Sequence, residues 1–252
     1  MERITSRANP LCAQIRKLNA SRSARREQGL FVGEGPKLLA EALGHGLGVT
    51  TVVTAQGVEA DCPDGVRRVE LPQGLFQSLC DTKTPQGVLF LCRMPAAGLP
   101  DKLPQGRYLV LDGVQDPGNV GTIWRSADAF GAEGLILLNG CADPWGPKTV
   151  RATMGACFRL PVWEAELDGL TDKLRAADMP LYATALREDT VDVREVPLDR
   201  CAVVIGSEGR GVSGSTLAHC DKTLKIPMRD RCESLNAAVA AAVVLWEMAR
   251  GK

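Results

Sequence analysis

The chain has 252 residues, 45% of them hydrophobic, with 30 basic and 30 acidic side chains. That is enough apolar material for two compact cores, and the composition excludes a disordered or fibrous chain. With no signal peptide and no apolar run of about 18 residues, a soluble, cytoplasmic protein is expected. The zero net charge hides an asymmetry, since residues 1–40 hold eight Lys/Arg against three Asp/Glu.

Asn9-Pro10 is a helix start, with Asn as the cap and Pro at the first helical position, leading into an apolar stripe of Leu11, Ile15 and Leu18. The opposite face carries Arg16 and Lys17, and Arg22, Arg25 and Arg26 come next. This cluster reads either as a solvated surface or as contacts to RNA phosphates. Residues 30–32, 49–54, 66–71 and 87–92 have strand character, and 36–43 and 72–79 have helical character. Together they make a small α/β domain with the basic helix outside it. Residues 94–106 (MPAAGLPDKLPQG) hold three prolines and two glycines. The expected division is therefore a first domain at 1–95, a linker at 96–106 and a second domain at 107–252.

In the second domain, strand 108–112 runs into a glycine-rich turn at 113–121 and then a helix at 122–130 stopped by Gly131. Asn119 lies in the turn and Arg125 lies on the helix. G-x-G-x-x-G and a P-loop lysine are both absent, so NAD and ATP are discounted. Strand 134–138, helices 148–156 and 167–177, and strand 181–185 come next. An apolar run at 202–205 then breaks into a turn holding Glu208 among Gly206, Gly209 and Gly211. A short strand stops at Pro227. Ser234-Leu235-Asn236 then opens a long helix, with Ser234 expected as its N-cap and Leu235, Val239, Ala242, Val243 and Trp246 as its packed face. Five or six strands alternating with helices predict a mostly parallel sheet, with ligands bound at the strands' carboxyl ends, where the Asn119, Glu208 and Ser234 loops converge.

Nine scattered cysteines, odd in number and without a C-x-x-C pair, read as reduced structural thiols, and no metal site is expected. His45 and His219 both lie outside the loop cluster and are read as non-catalytic.

NVGTIWRSADAFG, IGSEGRG, and IPM followed by ESLNAAVAAA resemble, in order and spacing, the three signature motifs of the SpoU branch of the SPOUT RNA methyltransferases. FVGEGPKLLAEAL and DTKTPQGV resemble the substrate-binding domain often fused to ribosomal RNA members. The resemblance implies an α/β fold with a deep trefoil knot in the C-terminal sheet domain and a small N-terminal RNA-binding domain. It also implies a homodimer through the C-terminal domain, S-adenosyl-L-methionine as cofactor, and methylation of a ribose 2′-hydroxyl, most naturally in ribosomal RNA. Transfer RNA as substrate, a silent RNA-binding protein of the same fold, and base methylation are the alternatives. By position the family's cofactor contacts fall on Gly206, Ile226 and Leu235, and its catalytic residues on Asn119, Arg125, Glu208, Ser234 and Asn236. Ala237-Ala238 departs from the commoner Val-Ser. A guanidinium, with a pKa above about 12, is a poor base. Arg125 is therefore read as binding the substrate phosphate or the developing alkoxide, with Asn119 orienting it.

Overall fold

The computed structural model of the chain describes residues 1–187, 189–229, 231 and 234–250. The chain divides into two compact units, one made of Met1–Pro95 and Asp143–Phe158, the other of Ala96–Ala142 and Arg159–Lys252.

The first unit is built on a five-stranded mixed sheet. Its strands are β1 (Glu2–Arg3), β2 (Leu30–Glu34), β3 (Val49–Ala55), β4 (Arg67–Leu71) and β5 (Val88–Arg93), in the order β1-β4-β3-β5-β2. β1, β4 and β3 run parallel, and β5 is antiparallel to both β3 and β2. Helix α1 (Pro10–Ala20) begins as expected, with the Asn9 side chain accepting from the Leu11 N–H. Its stripe of Leu11, Ile15 and Leu18 is buried with Val53, Val69 and Leu91 of the sheet. Only the opposite face of this helix is therefore outside the core.

A second helix, α2 (Arg22–Gln28), is not apparent from the sequence; Ser21 caps it by accepting from Ala24 N–H, and Gly29 ends it in a left-handed turn. Its seven residues are too few to show a clear helical periodicity. Helices α3 (Pro36–Gly44) and α4 (Gln73–Gln77) complete this part.

Asp143–Phe158, which sequence order assigns to the second domain, belong to the first unit. The rings of Trp145 and Phe158 lie 4.8 and 6.3 Å from that of Phe31 on β2. The helix expected at 148–156 is shorter, at Pro147–Ala152 (α6 in chain order). It breaks because Met154 and Gly155 take left-handed φ of 51° and 95°, and a 3-10 turn follows at Ala156–Phe158.

The second unit is a seven-stranded sheet whose strands are β6 (Arg107–Asp112), β7 (Gly134–Leu137), β8 (Val162–Glu164), β9 (Leu181–Thr184), β10 (Val191–Asp192), β11 (Cys201–Gly206) and β12 (Lys222–Lys225). Their order is β10-β12-β9-β11-β6-β7-β8, and every neighbouring pair is parallel. β8 and β10 add to the expected strands; at three and two residues they are too short to show a pattern. β6 and β11 at the centre are buried on both faces, which explains their unbroken apolar runs. The helices of this unit are α5 (Pro117–Ala129), α7 (Leu167–Ala176), α8 (Gly214–His219) and α9 (Ala237–Ala249).

The stretch expected as a linker is packed onto this unit. Leu103 is buried, Ala97 O accepts from Glu164 N–H, and Pro104 O accepts from the Tyr108 hydroxyl. Arg107 is buried and donates to Met248 O at 3.0 Å and Gly131 O at 2.5 Å, securing the C-terminal turn of α9. No helix among the described residues is long and apolar enough to cross a membrane.

Candidate active site

β6 and β11 are neighbours in the sheet and end level, with Gly206 opposite Asp112. The segments leaving the two strands therefore meet at the same edge. After β6 the chain turns directly into α5, because Asp116 accepts from Asn119 N–H as N-cap and Pro117 takes the first position. The helix thus starts five residues earlier than its expected start at 122, and Asn119 sits in its first turn instead of in a loop. After β11, Ser207 and Gly211 exchange two backbone hydrogen bonds, of 3.0 and 2.9 Å, closing a tight loop that presents Glu208. The Asp112 carboxylate accepts from Ser213 N–H at 2.8 Å and ties the far side of that loop to β6.

The third component is the start of α9. Asn236, not Ser234, is its N-cap, and its Oδ1 accepts from Ala238 and Val239 N–H. That commitment leaves its Nδ2 to donate to Asn119 Oδ1 at 3.2 Å, and Asn119 Nδ2 in turn donates to Glu208 Oε1 at 2.6 Å. The direction of the chain Asn236→Asn119→Glu208 is set by the helix cap at one end and an acceptor-only carboxylate at the other.

A cavity of about 400 Å³ opens beside this chain, over the ends of β9, β11 and β12. Gly206, Ile226 and Leu235 line it, together with Glu208 and Ser234. The size is that of a small-molecule site, and its walls mix apolar side chains with a few polar groups. Gly206 makes the close backbone approach possible, since a Cβ there would lie 2.0 Å from Gly211 C and 2.1 Å from Val212 N. Thr184, Leu186, Lys225 and Met228 also line the cavity and are missed by the motif-based reading. The signal that could have found them is the carboxyl end of β9 and the exit of β12, which face the same edge as β11.

A model of the SpoU rRNA methylase family matches residues 106–246. The chain belongs to this family. A second model, for the MRM3-like substrate binding domain, matches residues 9–89 of this SpoU protein. The 23S rRNA (guanosine(2553)-2′-O)-methyltransferase RlmP of Bacillus subtilis is 33% identical to it over 98% of this chain and 99% of its own length. The AdoMet-bound rRNA methyltransferase from Sinorhizobium meliloti superposes with a TM-score of 0.88 at 32% identity, over 99% of this chain and 98% of that one. The SpoU methyltransferase AviRb from Streptomyces viridochromogenes, solved with AdoMet, gives 0.84 at 31% identity over 96% and 98%.

The structure brings Asn119, Glu208 and Asn236 of this SpoU chain into one hydrogen-bonded group, with Ser234 at the adjoining cavity. Arg125 is exposed on α5 and makes no hydrogen bond or ion pair with another described residue. The packed face expected of α9 is reversed. Ala237, Ala238, Ala241, Val244 and Leu245 are buried, whereas Val239 and Trp246 are 50% and 59% exposed. A helix that is apolar all round does not reveal by periodicity which face the chain itself covers.

Among the expected RNA contacts, Arg16, Lys17, Arg22 and Arg26 are exposed, but Arg25 is only 5% exposed and is committed to Asp143, Leu18 O and Asn19 O. It holds the protein together and is not a phosphate contact. His219 is held by Ser215 O and Asp168 at the end of α8. Burial pushes the Cys80, Cys92, Cys201 and Cys220 thiols up to about 12, which favours the protonated form of structural thiols. Cys232 and Glu233, the latter in the S-L-N segment, lie outside the described residues.

Proposed function

We propose that this chain is an S-adenosylmethionine-dependent methyltransferase acting on a ribose 2′-hydroxyl of ribosomal RNA in the cytoplasm. The observation that carries the reading is the 400 Å³ cavity abutting the Asn236→Asn119→Glu208 chain, in a member of the SpoU family. The residues present fit the cofactor. Gly206 and Gly211 put backbone groups on the cavity wall, Ile226, Leu235 and Met228 supply apolar walls, and Ser207 and Ser234 supply polar groups. When bound, the cofactor supplies an electrophilic methyl group.

Asn119 and Glu208, held by each other and by Asn236, shape the wall at which the ribose oxygen is positioned. Arg125, with its guanidinium uncommitted to another described residue, holds the phosphate beside the target ribose or the developing alkoxide. The hydroxyl proton leaves to that phosphate or to water. Arg125→Lys is expected to lower kcat about 100-fold, while cofactor affinity measured by calorimetry stays within about twofold. Turnover near that of wild type would remove the planar fork from the mechanism. The overall reading is tested by incubating the protein with labelled S-adenosylmethionine and protein-free ribosomal RNA, then digesting to nucleosides for mass spectrometry. A 2′-O-methyl nucleoside is expected, and base methylation or no transfer would overturn it.

The same reading includes a homodimer through the second unit. Supporting it is the apolar outer face of α9, where Val239, Val243 and Trp246 face a cavity of about 610 Å³ shared with Phe130, the C-cap of α5. Asn119 and Asn236 line the same cavity, so a partner subunit covering it adjoins the site. Trp246→Glu is expected to shift the protein from dimer to monomer in sedimentation, and an unchanged dimer would place the interface elsewhere. A deep trefoil knot through β11, β12 and α9 is also part of the reading, and it rests on membership of the SpoU family. Tracing the chain in a crystal structure tests it. The 1–95 domain, with exposed Arg16, Lys17, Arg22 and Arg26, is assigned to RNA binding.

A further inference from the structure

The first unit holds a cavity of about 570 Å³, none of whose lining residues belongs to the candidate active site. Its lining includes Lys37, Thr82, Thr84, Gln86, Arg151 and Met154. We propose that it receives one unpaired nucleobase of the RNA substrate, stacked on Met154 and read by Thr84 and Gln86. This deepens the assignment of the first unit to RNA binding and rests on it.

The chemistry of the lining selects a base over a bare phosphate. Two cations, Lys37 and Arg151, are matched by two carboxylates, Glu34 and Glu41, so the cavity carries no net charge. Arg151 is moreover paired with Asp81 at 2.7 Å. The Glu34 carboxylate is engaged by Asp81 N–H, Thr82 N–H and the Thr82 hydroxyl, which fixes the wall formed by the 81–86 loop. Thr84 and Gln86, both exposed, make no hydrogen bond to another described residue and offer a hydroxyl and an amide that can both donate and accept. Unstacked bases are recognised by such groups on their edges together with a surface on which to stack. Lys37, exposed on the first turn of α3, is placed for the adjoining phosphate.

Met154 supplies the stacking surface and is an unusual residue in its place. It is 55% exposed, and it holds a left-handed φ of 51°, which among the described residues only one other non-glycine, Asp178, adopts. The following Gly155, at a left-handed φ of 95°, continues this turn, and a Cβ there would lie 2.8 Å from Glu41 Cγ. A glycine at 154 would be the relaxed choice for the backbone. A strained, solvent-facing thioether on the rim of a cavity is explained by what it touches, and a polarisable sulfur is favourable against an aromatic ring.

The test uses the whole 252-residue chain and fluorescein-labelled RNAs of about 12 nucleotides, single-stranded or in a blunt duplex, with binding read by anisotropy. Met154→Gly is expected to melt at the same temperature or higher, yet to bind the single strand up to about tenfold more weakly, the upper range of a lost sulfur–aromatic contact. Gln86→Ala is expected to weaken single-strand binding in the same direction, and neither variant should change duplex binding. Single-strand binding within twofold of wild type in both variants overturns the proposal, as does an equal loss on single strand and duplex, which marks a backbone contact. If wild type methylates ribosomal RNA and the variants bind as wild type, only the base pocket fails. If wild type neither binds nor methylates RNA, the functional reading fails with it.

Discussion

Gly206→Ala is expected to weaken S-adenosylmethionine binding by at least about 100-fold, about 2.7 kcal/mol, and to reduce methyl transfer with it. The added Cβ would lie 2.0 Å from Gly211 C, 2.1 Å from Val212 N and 2.4 Å from Gly211 O, and all three are backbone atoms. No rotamer change relieves such a contact. Either β11 moves, losing its register with β6 at the Gly206–Asp112 step, or the 207–211 loop opens and its two mutual backbone hydrogen bonds are lost. Each such bond is worth about 1 kcal/mol net, so the loop yields before the buried strand does. Glu208 rides on that loop and is held to Asn119 at 2.6 Å, so a shift on the order of 1 Å removes it from the group and distorts the cavity wall. Calorimetric titration with the cofactor, run beside a thermal melt, separates the site effect from unfolding. An intact melt with tight cofactor binding would mean that the cavity at Gly206 is not the cofactor site.

The strand-loop-helix order around this site is legible in the sequence because β6 and β11, buried on both faces, are written as unbroken apolar runs, and because turns at strand ends concentrate glycine. Asn119, Glu208 and Asn236 stand 89 and 117 residues from their respective hydrogen-bond partners, so their meeting is to be expected only from topology and from the family resemblance. Three features escape the sequence for identifiable reasons. Gly118 and Gly121 make the first turns of α5 read as loop, whereas the Asp116 cap and Pro117 start a helix regardless. α9 is apolar on nearly all sides, so its periodicity does not show that Ala237, Ala241, Val244, Leu245 and Met248 take the inner face and Val239, Val243 and Trp246 the outer one. The 143–158 segment comes after β7 in sequence, yet its aromatic residues pack on Phe31, a choice that no local pattern encodes. The basic cluster shows the same limit: composition counts Arg22, Arg25 and Arg26 alike, and only the fold separates the buried one from the two exposed ones.

That separation predicts opposite behaviour for neighbouring arginines. Arg25→Ala is expected to destabilise the protein by about 3–5 kcal/mol in urea unfolding, the range for breaking a buried ion pair from one side. Arg25 Nε and Nη2 both reach Asp143 Oδ2, at 2.9 and 2.5 Å, and Nη1 donates to Leu18 O and Asn19 O at the end of α1. Alanine leaves two carbonyls and a mostly buried carboxylate without these donors. Asp143 cannot simply turn to water, because its Oδ1 accepts from Trp145 N–H and its carbonyl accepts from Gly146 N–H and the Thr149 hydroxyl. The loss therefore spreads to the whole 143–158 segment, including Trp145 against Phe31. Lysine at this position keeps the charge but not the fork, so it should recover only part of the stability. Arg22→Ala with Arg26→Ala, both exposed, should instead shift stability by no more than about 0.5 kcal/mol each. The pair should flatten the salt dependence of RNA binding by about one to two units of logarithmic slope. If Arg25→Ala unfolds at wild-type urea concentration and it alone changes the salt slope, the buried pair is broken in solution and Arg25 faces the RNA after all.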